Sequence, residues 1–295
     1  MATSDSPRPL PRRLRKRAAE SLALPLQVVD QYWGAGRIQV VTPEHERPQP
    51  LALESLVFQD DQLLFDGLLV QGLPPRSYAL LNKPTQVTST TYDPTGQANL
   101  SPYLRQMPAG CFPVGRLDRE TSGLLLCTND GDLANAVLRP DHETTKTYWL
   151  WLDEVLDSAD PRLAQMQQGV EHNGQLLVAK EARIVARTDY ATELELTLTQ
   201  GKKRQIRHMC RALQLPLEHL HRSRIGPLSD AGLPLGSWRP LEAAEVEALW
   251  SATGGRARLR QRKVAALFRL AHAAREAGAP LSRLEAWLAE EAPMG

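Results

Sequence analysis

The sequence predicts an α+β fold on a mostly antiparallel sheet. Two observations lead there. Strand-period segments ("YALLNKP", "GLLLCT", "KTYWLWL", "TELELTLT") are interrupted by single helical segments, without the regular beat of a βαβ protein. An Asn-Gly pair inside "HNGQ" (residues 172–175) marks the tight turn that joins antiparallel neighbours. At 295 residues the chain is long enough for two domains, or for one with appendages.

Taken in order, residues 1–11 are rich in Pro, Ser and Arg and are expected to form a disordered basic arm. Residues 12–73 form a small module. A helix is expected over Arg12–Leu22, and a second from Pro25, a residue tolerated in a first turn, to the "GAG" stop at Gly34–Gly36. A strand "RIQVV" and a pair of short strands in "VFQDDQLLFDGLLV" follow, and "GLPPRS" is the linker. The main domain is expected over residues 77–250, with helices at Asp132–Leu138, Pro161–Gln168, Gln205–Leu213 and Glu242–Trp250. Residues 251–295 form a helical extension with helices over about Leu259–Gly278 and Leu281–Glu290.

Hydrophobic residues make up 42% and charged residues 23% of the chain, as in an ordinary globular protein, and the net charge is only +1. The distribution is more telling. Basic clusters occur at Arg8–Arg17 (with Arg12, Arg13, Arg15, Lys16 and Arg17), at Lys202–Arg211 and at Arg256–Lys263. Together they suggest a polyanionic partner, although each alone also fits a solvated helix face. Cys111, Cys127 and Cys210 lie far apart in apolar or helical patterns, without metal-ligand spacing, and read as reduced core thiols. No apolar run approaches the ~18 residues of a membrane span, and the basic N-terminus lacks a signal peptide's apolar segment. The expected compartment is the cytoplasm.

Phosphate-loop, dinucleotide and paired-histidine zinc motifs are all missing. "HLH" (His219–His221) is the best metal candidate, but two histidines on one side of a strand fit a structural or phosphate-contacting role better. The stretch "VGRLDRETSGLLLCTND" places Asp118 among charges at the lip of an apolar strand. A carboxylate that attacks a sugar or a base has to be ionised where water does not compete. Burial alone raises its pKa and disarms it, and a planar, permanently charged arginine corrects this. "TQGKKRQIRHMCRAL" offers that cation in Arg207, on a helix whose Ile206, Met209, Cys210 and Leu213 face inward. Lys202, Lys203 and Arg204 then remain for phosphates. Alone, this segment also reads as a basic surface helix.

Four segments together, in order over about residues 78–250, resemble the RsuA-like family of ribosomal RNA pseudouridine synthases. They are "LNKP", "VGRLDRETSGLLLCTNDGDLAN", "KTYWL" and "QGKKRQIRHMCRAL", and "LPLGSWRPL" resembles the family's closing segment. The resemblance implies a curved sheet split by an RNA-binding cleft and an isomerase that needs neither cofactor nor metal. It implies Asp118 as the catalytic carboxylate, Tyr148 over the uracil, and Arg207 paired with Asp118. Arg116 would contact phosphate or fill the space of a flipped-out uridine, and Asn82 and Lys83 would brace the catalytic loop. Residues 12–73 resemble, with departures, the small αL-type RNA-binding module of relatives; "PLQ" replaces Ser-Arg-Arg, so RNA binding there rests on Arg12–Arg17. Gln86 stands where relatives usually carry glycine. The expected partner of this monomer is ribosomal RNA of the large subunit, with small-subunit and transfer RNA as alternatives. A non-catalytic RNA-binding or ribosome-assembly factor is the competing class, and a DNA-binding role for the Arg12–Trp33 helix pair is a third.

Overall fold

The computed structural model describes residues 8–91, 96–142, 144–278 and 281–291. They form two compact units, one of residues 1–75 with 256–295 and the other of residues 76–255.

In the first unit, helix α1 (Leu14–Leu22) ends at Ala23 in a left-handed conformation, and α2 (Leu26–Gly34) starts behind Pro25. Strands β1 (Ile38–Thr42), β2 (His45–Gln49) and β3 (Gln62–Phe65) form a sheet in the order β2-β1-β3, continued by Leu68–Leu69. The alternation in β1 turns Ile38 and Val40 inward onto Leu14, Ala18, Val29 and Leu63. Strand β2 is not legible in the sequence, because its charges and Pro48 mask its period. The helices of the C-terminal extension, α6 (Gly255–Glu276) and α7 (Ser282–Glu291), build a further core here. Leu284, Trp287 and Leu288 pack with Leu10, Leu56 and Phe58. The Arg283 guanidinium bonds Asp60 and Asp61 and lies over the Phe58 ring. Residues 1–7 of the expected disordered arm lie outside the described residues. Of its last four, Arg8 and Pro9 are exposed, Arg8 pairing with Glu290, while Leu10 joins the core and Pro11 is buried.

In the second unit, strands β4 (Tyr78–Lys83), β5 (Ser122–Thr128), β6 (Lys146–Leu152), β7 (Glu181–Arg187), β8 (Thr192–Leu198), β9 (Leu217–Ile225) and β10 (Trp238–Pro240) form one sheet. The order is β7-β8-β6-β9-β5-β4-β10, antiparallel except where β9 meets β5. The unbroken apolar run of β5 is buried on both faces, as a central strand requires. Helix α3 (Gly131–Leu138) is capped by the Asp130 side chain, and α4 (Pro161–Gln168) by Asp160 with Pro161 in its first turn. The Asn173–Gly174 turn, with both residues at positive φ, closes a hairpin as expected. Helix α5 (Gln205–Ala212) sets Ile206, Met209 and Cys210 against Leu150, Leu152, Leu194 and Leu196. This is the predicted α+β architecture, mixed because of the one parallel junction. Strands β7 and β10 were not foreseen, since one is a charged edge strand and the other is three residues ending in proline.

Gln86 has a φ of 65°, which accounts for the glycine expected there. Gln86→Gly removes that strain, and we expect a gain of about 0.5–1 kcal/mol in stability, read as a higher urea midpoint.

Candidate active site

The second unit holds a cleft of about 940 Å³, bordered by the loop that precedes β5, the inner face of β6 and β9, and the start of α5. Its position follows from one close approach. Gly123 has a φ of +109°, and a Cβ there would lie 2.3 Å from the carbonyl oxygen and 2.4 Å from the amide nitrogen of Arg222. Only glycine lets β5 and β9 meet at this point, where Ser122 and Gly123 pair with His221 and Arg222.

The loop carrying Asp118 is fixed by a second loop. The Ser89 hydroxyl donates to the Leu117 carbonyl (2.8 Å) and accepts from the Leu117 amide (3.1 Å), and the Gln86 amide donates to the Arg119 carbonyl (2.7 Å). Lys83, fully buried, supports that bracing loop by donating from Nζ to the carbonyls of Pro84 and Val87, both at 2.9 Å. Burial, followed by the charge of Arg222, lowers its pKa to about 8, opposed by Asp118 and Glu120. Asn82 bonds Leu233, Gly236 and Ser237 instead, so it braces the closing segment and not the loop that carries Asp118.

Asp118 lines the cleft together with Tyr148 and Arg207. The expected Asp118–Arg207 ion pair is not the contact that forms. The nearest cation is Arg204, whose Nη1 lies 4.0 Å from Asp118 Oδ2 and 3.0 Å from Glu120 Oε2. Arg207 donates from Nη2 to the Glu120 carbonyl (3.2 Å) and to Thr121 Oγ1 (3.5 Å), so it holds the backbone beside Asp118. The switch has a local cause: Arg204 is in a left-handed conformation at the start of α5, which turns its side chain toward the acidic loop. Asp118 is also not sealed from water, its side chain being 32% exposed. The Glu120 carboxyl is held below its usual range first by its own backbone amide and then by Arg204.

Arg116, Lys202 and Lys203 line the cleft as well. Lys202 Nζ donates to the Leu176 carbonyl at 2.8 Å, while Arg116 and Lys203 have no partner among the described residues. The N-terminal cluster, in the first unit, is largely compensated. Arg12 pairs with Glu20, Arg13 with Glu54 and Arg15 with Asp30, and Arg17 donates to the Phe58 and Asp61 carbonyls. Lys16 is exposed. In "HLH", His221 joins Ser122 Oγ (2.8 Å) to Asp230 Oδ2 (2.7 Å) and takes the structural role. Among the described residues, no group of three or more His, Cys, Asp or Glu is placed to hold a metal ion, and no helix is long and apolar enough to cross a membrane.

A family model described as RNA pseudouridylate synthase matches residues 77–212, which carry most of the cleft lining, Leu220, Arg222 and Ile225 lying beyond the match. An RNA pseudouridine synthase of Aquifex aeolicus, named as uncharacterized, is 34% identical over 194 residues, covering 64% of this chain and 77% of that protein. The chain belongs to the RsuA-like family of RNA pseudouridine synthases. The ribosomal large subunit pseudouridine synthase B of Bacillus subtilis is 31% identical over 191 residues, covering 64% of this chain and 77% of that protein. A crystal structure of a pseudouridylate synthase superposes with a TM-score of 0.55 at 26% identity, covering 80% of this chain and 99% of that one. The chain is therefore an RNA-modifying isomerase.

Two groups in the synthase's cleft went unnoticed in the sequence. Arg222 is 6% exposed, donates from Nε to the Leu124 carbonyl (2.7 Å), and leaves Nη2 buried with no partner. Lys146 donates to the Thr144 carbonyl (2.8 Å), and burial followed by the Arg222 charge lowers its pKa to about 8. The available signal was the alternation in "HLHRSRI", which puts Arg222 on the same side as the core residue Leu220.

Proposed function

We propose that this synthase converts a specific uridine of large-subunit ribosomal RNA to pseudouridine, with Asp118 as the catalytic carboxylate. The observation that carries the reading is the meeting of Asp118, Tyr148 and Arg207 in one cleft with Arg116, Lys203 and Arg204. The name of the Bacillus subtilis relative supports the large-subunit substrate.

The reaction breaks the bond between ribose C1′ and uracil N1, turns the base and rejoins it through C5. A stacked uridine has to be flipped out to reach the cleft, and Arg116 and Lys203, free of internal partners, hold the phosphates on either side. Tyr148 offers the base its ring face and, with no partner for its hydroxyl among the described residues, a proton acceptor. Arg204 stands beside the Asp118 carboxylate, and Arg207 fixes the backbone that carries it.

Arg207→Leu is expected to lower kcat while RNA Kd stays within about twofold. Lys203→Ala is expected to weaken binding with kcat retained and to reduce its salt slope by about 1. Titrations at several salt concentrations beside single-turnover rates distinguish the two.

The substrate is tested by incubating the purified protein with protein-free large-subunit RNA, small-subunit RNA and transfer RNA, then mapping pseudouridine chemically. One modified uridine in large-subunit RNA supports the proposal. Modification of another RNA class reassigns the substrate, and binding without modification favours the non-catalytic factor.

A further inference from the structure

The cleft floor holds more positive charge than its surroundings answer. Tyr148 and Arg222 are directly opposed on β6 and β9, and Lys146 lies two residues from Tyr148, so the three side chains share one face of the sheet. All three line the cleft, with Leu126, Leu220 and Ile225 as its apolar neighbours. No carboxylate among the described residues pairs with Arg222 or Lys146; the protein gives each one backbone carbonyl. A buried guanidinium without a carboxylate is costly, and its place in the cleft lining points to a negative partner that arrives with the substrate.

We propose that Arg222 and Lys146 form an oxyanion site for the uracil ring during its detachment, a catalytic role beyond that of Asp118, Tyr148 and Arg207. When C1′–N1 breaks, the ring keeps the electron pair and shares it over N1, O2 and O4. When C5 bonds to C1′ the ring gives up that pair, and the C5 proton passes to N1. Nothing is oxidised or reduced. Fixed cations beside a base lying on Tyr148 stabilise the anion in the interval, as preorganised donors do at other developing oxyanions. A backbone phosphate is the other anion available. The apolar walls and the place beside Tyr148 fit a flat ring better, and unpartnered cations at Arg116 and Lys203 already serve phosphates.

This inference rests on the Asp118 reading, and the test separates the two. Arg222→Met, Lys146→Met and Asp118→Asn are compared on RNA carrying uridine or 4-thiouridine at the target; a thiouracil anion is better stabilised within its own ring. Each Met variant is expected to lose about 10²–10³-fold in single-turnover rate on uridine. RNA Kd and salt slope should stay unchanged. Tm should hold or rise, because an unpaired buried charge has been removed. The defect should shrink at least about tenfold on 4-thiouridine. Equal defects on both substrates would overturn the proposal, as would a weakened Kd with a flatter salt slope, which marks a phosphate site, or a Tm that falls in step with the rate. An active Asp118→Asn enzyme would instead sink the underlying reading.

Discussion

Asp118→Asn should leave a folded protein that binds RNA and does not modify it. The expected loss is roughly 10³-fold or more in single-turnover pseudouridine formation, because the reaction loses its one positioned carboxylate. The fold has little stake in that carboxylate. Asp118 accepts the Thr121 amide through its backbone carbonyl, which asparagine keeps, and its side chain meets Arg204 only at 4.0 Å. Stability should therefore change by less than about 0.5 kcal/mol. Removing a negative charge from the edge of a basic cleft should leave RNA affinity equal or slightly higher. Unfolding, binding and turnover measured on one preparation check all three. A variant that turns over at the wild-type rate would show that another group does the chemistry.

Gly123→Ala should be the most damaging small substitution in the second unit. The added methyl would meet the Arg222 carbonyl oxygen at 2.3 Å and its amide nitrogen at 2.4 Å. Both are backbone atoms that cannot swing away, and the φ of +109° is itself unfavourable for alanine. Relief requires β5 and β9 to separate at the one parallel junction of the sheet, which also sets Arg222 and the Asp118 loop on the same cleft. The expected cost is about 3–5 kcal/mol, seen as a Tm lower by roughly 10 °C or as insoluble protein. Gly174→Ala is the control. That glycine also has a positive φ but has nothing within 4 Å of its added methyl, so it should lose only about 1 kcal/mol.

Much of the architecture was legible because its signals are local. Pro161 behind Asp160, the Asn173–Gly174 turn and the apolar run of β5 each fix an element within a few residues. The members of the cleft were legible for a different reason: Asp118, Tyr148 and Arg207 stand in motifs whose order resembles a family. Their pairings were not legible. Arg204 and Arg207 lie three residues apart on one helix start, and the choice between them turns on the left-handed backbone of Arg204. Arg222 was hidden because its place opposite Tyr148 depends on a register shift between β6 and β9 at Thr147 and Tyr148. The C-terminal helices carry a basic stretch that reads equally as an RNA grip or as a face packed on the body of the protein. The contacts that set them in the first unit, Arg283 with Asp60 and Asp61 and Arg260 with Glu291, join residues far apart in sequence or charges that look free.

The most direct test is a pseudouridine map of total RNA from cells lacking the gene, complemented with the wild-type protein or with Asp118→Asn. The account predicts that one pseudouridine in large-subunit ribosomal RNA disappears with the gene, returns with the wild-type protein and stays absent with the variant. Its return with Asp118→Asn would contradict the account.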